Sequence, residues 1–204
     1  MLVLFFMLPA VVGQAEQSQV AMLQMIWKAQ TMDGLGNGVW VIPEAALNDY
    51  FAVYADNDKV KNLSLKLLGN NKLYVAFDSS VGRVGLTCEV KQFVHNQDES
   101  YAEVYIRKKE VAGKPFMSWM MKFIPVGAIA NLLGNPMKDV KVVDAKFSGN
   151  TLKVNFRPLV EKSLLVNNGI VRKIEISGMT IDEGALKLHT NMRATELLGM
   201  VAGL

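Results

Sequence analysis

The chain has 204 residues, of which 50% are hydrophobic and 20% are charged, and its formal net charge is +3. This composition excludes intrinsic disorder, because disordered chains are poor in apolar residues, and the length suits one domain with a substantial core. The basic residues are spread along the chain and form no run interleaved with aromatic residues, which argues against a nucleic-acid partner.

Residues 1–15 have the features of a signal peptide. The first twelve residues carry no charge, and Gly13 and Ala15 offer a cleavage site. The n-region is atypical, because no Lys or Arg precedes the apolar run. That run is too short to cross a bilayer, and a buried N-terminal helix is the alternative. We therefore expect export to the periplasm or cell envelope, and a single α+β domain over residues 16–204.

Two amphipathic helices are predicted next. Apolar residues recur at near-helical spacing over residues 17–31. The tract 33–38 predicts a loop, because three glycines within five positions disfavour a helix. Pro43 and Glu44 are typical of a helix start, since proline presets φ and the carboxylate meets the positive end of the helix dipole. This second helix is expected to end near Asp56.

From residue 59 onward the hydrophobic period changes from about 3.6 to about 2, which predicts β-strands. Strand–turn–strand patterns surround residues 69–71, 148–150 and 182–184. A strongly apolar segment, residues 116–133, lies between the two sets of predicted strands. Runs of strands without regularly alternating helices favour an α+β fold with an antiparallel sheet over a doubly wound parallel one.

The segment 116–133 is the most informative part of the chain. Its only charged residue is Lys122, and Pro125 is expected to break or kink a helix there. A surface helix has an apolar stripe and a polar back, whereas this segment is apolar nearly all round. It is therefore either a core helix or a surface that faces something apolar other than protein. Its methionines suit variable partners, and composition alone does not separate the two interpretations.

The sequence contains no catalytic or metal-binding motif. His95 and His189 lack a partner at ligand spacing, and both are expected at the surface. Cys88 is the only cysteine, so no intrachain disulfide forms, and its alternation with Leu86 and Val90 predicts a small buried thiol. We expect no enzyme, no cofactor and no metal. Export without disulfides suits a bacterial envelope.

Two stretches of the chain have a familiar pattern. An Ile-Pro-Glu-x-x-Leu-Asn-x-Tyr element spans residues 42–50, and the stretch Ile-Ser-Gly-Met-Thr-Ile-Asp-Glu-Gly-Ala-Leu spans residues 176–186. With antiparallel strands and a Pro-flanked apolar helix between them, the chain resembles the tubular lipid-binding (TULIP-like) superfamily, including bacterial envelope proteins of the LmeA and YceB type. The resemblance covers most of residues 40–190 and consists of pattern and element order. It implies a strongly curved antiparallel sheet wrapped around a long apolar helix, with a groove for acyl chains.

The resemblance implies non-catalytic binding, with or without transport, of a lipid or other hydrophobic ligand in an apolar groove in the cell envelope. Transient contact with a membrane surface would accompany it. The alternative is a structural or interaction protein of the envelope, with the apolar helix as plain core. The residues expected to line the lipid site are the following: Phe116, Trp119, Met120, Phe123, Ile124, Ile129, Leu132 and Leu133.

Overall fold

The computed structural model describes residues 21–22, 24–54, 61–80, 82–125, 144–158, 174–191 and 193. Residues 21–22 and 24–28 are helical and are called here the first helical segment. The later helices are α1 (Met32–Gly36), α2 (Glu44–Tyr54) and α3 (Pro115–Met121). The strands are β1 (Val39–Pro43), β2 (Lys61–Gly69), β3 (Lys72–Ser79), β4 (Gly82–His95), β5 (Ser100–Val111), β6 (Asp144–Ser148), β7 (Thr151–Asn155), β8 (Ile176–Asp182) and β9 (Ala185–Thr190).

The glycine-rich tract forms the short helix α1, so the predicted loop was wrong. The side chain of Thr31 caps this helix, because its Oγ1 accepts a hydrogen bond from the Gly34 N–H at 3.0 Å. A Cβ at Gly34 would lie only 2.9 Å from that oxygen, so the cap needs a glycine. The cap contributes about 1 kcal/mol and burial of Leu35 about 2 kcal/mol, which together exceed the cost of about 1 kcal/mol for each of the two glycines.

The predicted second helix is confirmed as α2, and its side chains bind the backbone of β2. Glu44 Oε2 accepts a hydrogen bond from the Leu67 N–H at 2.6 Å. One turn later, Asn48 accepts from the Leu65 N–H at 2.7 Å and donates to the Leu65 carbonyl at 2.9 Å. These bonds satisfy peptide groups on the outer edge of β2. Pro43 ends β1 and precedes the helix.

All pairings between strands are antiparallel, in the order β1-β9-β8-β4-β5-β7-β6, and the β2–β3 hairpin joins the sheet through β3 on β4. One edge of β4 is shared, because β3 pairs with its first half and β8 meets it at His95. Asn71 lies where β3 and β8 diverge along this edge of β4 and bonds both β8 and β4. Its amide side chain accepts from the Ile181 N–H at 3.0 Å, and its carbonyl accepts from the Val90 N–H at 2.9 Å.

The main core lies where the first helical segment and α2 cover the sheet. It includes fully buried Met22, Ile42, Leu47 and Leu188. A second, smaller cluster forms at the end of the sheet nearest α3, around Val84 and Val111. The α+β class with an antiparallel sheet is therefore confirmed, and the sheet is open, with β1 and β6 at its ends.

The segment 116–133 does not form one long helix in the part that the structure describes. Helix α3 has seven residues and ends at Met121, followed by a turn. Pro125, at which a break or kink was predicted, lies four residues after the end of α3. Residues 126–133 lie outside the described residues, as does the predicted signal peptide over 1–15.

His95 is buried, with 1% of its surface exposed, so its predicted surface position was wrong. The polar residues that suggested a surface turn begin only after it, at Asn96. His95 itself is the last residue of β4 and lies between β5 and β8, which pair with it on either side. His189 was also expected at the surface and is half-buried beside Thr180, whereas its neighbour Leu188 is fully buried.

Candidate functional site

Helix α3 is fastened to the end of β5. The chain leaves the strand through a turn in which Gly113 has a φ of 70°, a conformation that favours glycine. Pro115 then occupies the first turn of the helix, where a missing N–H costs nothing. Ser118 closes the connection, because its hydroxyl accepts from the Val111 N–H at 2.9 Å and lies 3.2 Å from the Val111 carbonyl.

The inner side of α3 packs on the sheet through Met117. This side chain contacts the small cluster formed by Val84 and Val111, to which Phe77 and Leu86 also belong. Methionine suits this position, because its flexible thioether fills an irregular gap at the sheet's end. The helix therefore has a defined inner side, which Met117 forms.

Lys109 holds the residues that follow α3. Its Nζ donates to the Ile124 carbonyl at 2.6 Å and to Asn150 Oδ1 at 3.0 Å. The lysine is 4% exposed, and burial lowers the pKa of its amine. Two neutral oxygens thus hold a buried amine between the segment after α3 and the β6–β7 turn. Asn150 is itself held by β5, since its carbonyl accepts from the Ile106 N–H at 2.8 Å.

The outer side of α3 is apolar and faces water. Phe116, Trp119, Met120 and Phe123 are spaced by three, four and seven positions, which places them on one side of a helical turn. Their exposed fractions are 68%, 53%, 43% and 71%. The Phe116 and Trp119 rings stack at 6.0 Å between centroids, and Phe123 meets Trp119 edge-on at 5.2 Å. We call these four residues the apolar face.

The surroundings of the apolar face are basic. Lys114 and Lys122 flank it and are exposed, and residues 111–125 include no acidic side chain. The nearest carboxylate along the chain, Glu110, lies 2.5 Å from the Lys108 ammonium and accepts a hydrogen bond from Tyr74. The hydrogen bond from Lys108 is the main reason that the pKa of Glu110 lies below its usual value.

The structure brings together four of the eight residues predicted to line a lipid site, and these are the apolar face. Ile124 is half-buried and contributes its carbonyl to Lys109, whereas Ile129, Leu132 and Leu133 lie outside the described residues. The residues that orient the face were missed. Ser118 could have been noticed in the sequence, because it is the one polar residue among the seven of α3. Lys109 had none, because its partners are distant in sequence.

The described residues also form an open depression of about 510 Å³ between α2 and β2. Its lining is partly polar and shares no residue with the predicted lipid site: Asn48, Asp49, Ala52, Asn62, Leu63 and Ser64. This depression is therefore not the apolar groove that the resemblance implies.

One Ser–His contact has the distance of a nucleophile and its base. His95 Nδ1 lies 2.6 Å from Ser100 Oγ, but both residues are only 1% exposed. No substrate reaches such a pair, so we assign it to packing at the β4–β5 turn. Cys88 is buried as predicted, and burial raises the pKa of its thiol to about 12, far from a reactive thiolate. Within the described ranges, no three His, Cys, Asp or Glu side chains converge on a metal position.

None of the helices in the described part of the chain combines the length and the apolar character that crossing a membrane requires. Comparisons with family models, with curated proteins and with solved structures gave no match. The resemblance to the TULIP-like superfamily therefore remains an expectation from the sequence.

Proposed function

We propose that the chain binds a lipid or another hydrophobic ligand in the cell envelope without catalysing a reaction on it. The apolar face of α3 would supply one wall of the binding site. The TULIP-like resemblance implies an apolar helix beside a groove for acyl chains, and α3 offers a side with that character. The envelope location comes from the signal-peptide pattern of residues 1–15.

The observation that supports this proposal is the direction in which the apolar face points. A helix at a protein surface normally turns its apolar stripe toward the core. Helix α3 instead packs through Met117, and the helix and the turn after it leave three aromatic rings and a methionine exposed. Covering a large apolar side chain fully contributes about 1.5–3 kcal/mol, and each acyl CH₂ removed from water adds about 0.8 kcal/mol. Contiguous exposed patches of this kind are typical of binding surfaces.

The exposure of the apolar face also argues against the alternative, in which the protein is structural and residues 116–133 form part of its core. That alternative requires the side chains of the segment to be buried. In the described part of the segment, the four largest outward side chains are exposed by 43% or more. The described residues therefore favour a binding surface over a core helix.

Lipid extraction tests the proposal. The full chain is purified in folded form from a bacterial host, and the bound lipids are identified by mass spectrometry. We expect co-purified lipid in the wild type, and its loss in Trp119→Asp and Phe123→Asp, because a carboxylate in the apolar face opposes contact with acyl chains.

Trp27→Asp is the matched control, since Trp27 is 56% exposed but lies on the first helical segment. This variant should keep its lipid. A folded wild-type sample without lipid, or undiminished lipid in both Trp119→Asp and Phe123→Asp, would count against the proposal.

A further inference from the structure

We propose that strand β6 pairs with β6 of a second copy of this chain. The two strands run antiparallel about a two-fold axis at Ala145, so that one sheet continues across two molecules. The inference goes beyond the proposed function and does not depend on it, since α3 takes no part in the pairing.

Three of the described strands, β1, β2 and β6, each pair with a single neighbour, and side chains cover the free edges of the first two. On β1, the Gln30 amide accepts from the Val41 N–H at 2.9 Å and donates to the Val41 carbonyl at 2.7 Å, as a neighbouring strand would. Asn48 makes the same two bonds to Leu65 of β2. Covering an edge in this way prevents pairing with other chains.

Strand β6 has no such cover among the described residues. The Asn150 carbonyl accepts from β5, and the Phe156 N–H donates to β5, so the even-numbered residues of β7 bond β5. The odd-numbered residues of β7 therefore bond the even-numbered residues of β6. The N–H and C=O groups of Ala145 and Phe147 consequently point away from the sheet, and none of the described residues bonds them.

The charges on β6 are complementary to those of a second copy. The side chains of Asp144 and Lys146 are 52% and 80% exposed, and their charged groups lie 3.6 Å apart. A two-fold axis at Ala145 places Asp144 of each copy opposite Lys146 of the other. These positions are non-hydrogen-bonded pairs of the new interface, where facing side chains approach most closely and opposite charges are stabilising.

The same charges exclude the neighbouring registers. An axis at Lys146 would place two lysines opposite each other, and an axis at Asp144 would do the same with two carboxylates. A lysine on an edge strand commonly discourages pairing between copies for this reason. Here Asp144, two positions away, supplies the opposite charge. Charge complementarity therefore selects both the second copy and the register.

The β6–β7 hairpin is held rigidly in the fold. Phe147 packs against the buried cluster of Cys88 and Ile106. In the turn, Lys109 Nζ donates to Asn150 Oδ1 at 3.0 Å, and the Ile106 N–H donates to the Asn150 carbonyl at 2.8 Å. The edge is therefore preorganised, so little conformational entropy is lost when a second strand pairs with it.

Sedimentation velocity of the full chain over a concentration series tests the inference. The wild type should show a monomer–dimer equilibrium that shifts toward dimer as the protein concentration rises. Lys146→Asp and Asp144→Lys should each weaken association by about tenfold or more, because two attractive pairs become two repulsive ones. The exchange variant Asp144→Lys/Lys146→Asp should associate like the wild type. An equimolar mixture of the two single variants should also associate, because opposite charges again face each other.

Lys187→Asp is the matched control for Lys146→Asp. The Lys187 ammonium lies 2.6 Å from the Asp182 carboxylate, and both side chains are exposed. The substitution changes the net charge equally and sets two carboxylates side by side, but on the β8–β9 hairpin, so association should not change. Ala145→Pro tests the backbone: the Ala145 N–H points outward, so proline removes no bond to β7 but should abolish pairing at the axis.

Disulfide crosslinking reports the register directly. Ala145→Cys should link two copies under mild oxidation, because Cα atoms in a hydrogen-bonded antiparallel pair lie about 5.5 Å apart, within the range of disulfides. Ser148→Cys is the control, since this register places the two copies of residue 148 about 20 Å apart. The thiol of Cys88 is buried and should not compete.

A chain that stays monomeric throughout the concentration series would overturn the inference. So would a dimer that Lys146→Asp, Asp144→Lys and Ala145→Pro leave intact, or one that Trp119→Asp dissociates, because the apolar face of α3 would then be the interface. Loss of association in the exchange variant, or crosslinking through Ser148→Cys instead of Ala145→Cys, would overturn the pairing at Ala145. Co-purified lipid tests the proposed function separately, so either proposal can fail without the other.

Discussion

A glycine in the middle of a long strand illustrates how single residues shape this sheet. Gly85 lies in β4, and the ring of Tyr74 from β3 lies across it. A Cβ at Gly85 would be 2.2 Å from the tyrosine hydroxyl. That hydroxyl donates to Glu110 on β5 at 3.1 Å, so the bare glycine lets a side chain reach over β4 to the next strand. Glycine in a strand interior is often explained by such a close approach.

Gly85→Ala is therefore expected to lower the free energy of unfolding by about 2 kcal/mol, because the new methyl group displaces the Tyr74 ring. Urea denaturation measures the change. Tyr74→Ala in the same chain should relieve most of the clash, so the two effects should not add. Gly36→Ala is the control, since a Cβ there meets nothing within 4 Å. Equal stability of Gly85→Ala and wild type would contradict this account of the glycine.

At the scale of elements, two side chains from outside the apolar face determine how the segment after β5 is placed. Ser118 fixes the start of α3 on Val111, and Lys109 fixes the turn that follows the helix. Both bonds involve backbone groups, so they orient the segment without depending on neighbouring side chains. Side chains bind backbone groups elsewhere in the fold too, since Glu44 and Asn48 of α2 accept hydrogen bonds from N–H groups of β2.

Replacing Lys109 by methionine should loosen the turn after α3 more than it changes the whole molecule. The variant keeps the apolar stem but loses the donor for Ile124 and Asn150, and it removes the cost of burying a charged amine. We expect faster amide hydrogen exchange in residues 118–125, with a change of about 1 kcal/mol or less in the free energy of unfolding.

Lys146→Met is the control for this experiment, because Lys146 is exposed and its ammonium lies 3.6 Å from the carboxylate of Asp144, away from α3. It should leave exchange near α3 unchanged. Unaltered exchange in Lys109→Met would show that Met117 and Ser118 suffice to hold the segment.

At the scale of the whole molecule, several carboxylates on the strands accept hydrogen bonds from donors on nearby residues. A hydrogen bond from Lys91 is the main cause that lowers the pKa of Glu89, and one from Asn62 lowers that of Asp78. Lys108 does the same for Glu110. A carboxylate whose pKa is lowered by folding stabilises the fold at a pH above the pKa that it has in the unfolded chain. This stabilisation is lost as the pH falls through the pKa that the carboxylate has in the folded protein.

Stability is therefore expected to be level near neutral pH and to fall as the pH drops below about 4.5, the ordinary value for glutamate. Urea midpoints measured between neutral and acidic pH test this. Glu110→Gln should be less stable than wild type at neutral pH and should lose less on acidification. Glu99→Gln removes a carboxylate from an exposed position in the β4–β5 turn and controls for the change in charge. A wild-type curve that stays flat through acidic pH would contradict the expectation.

Local pattern in the sequence predicted the strands after residue 59 and the helix α2, although it missed β1 and α1. The change of hydrophobic period marked the strands from β2 onward, and Pro43 and Glu44 marked the start of α2. The buried position of Cys88 also followed from alternation along β4. These features depend on neighbours within a few positions, so the residues themselves carry the information.

Only the tertiary structure decided which way those elements face. Apolar spacing predicts a stripe on α3 but not whether the stripe meets the sheet or water, because Met117 competes with it for the inner side. The burial of His95 and of Lys109 likewise depends on strands that are distant in sequence. Direction and burial arise from contacts between distant segments, and for that reason the outward apolar face with its lysines could not be derived from the sequence alone.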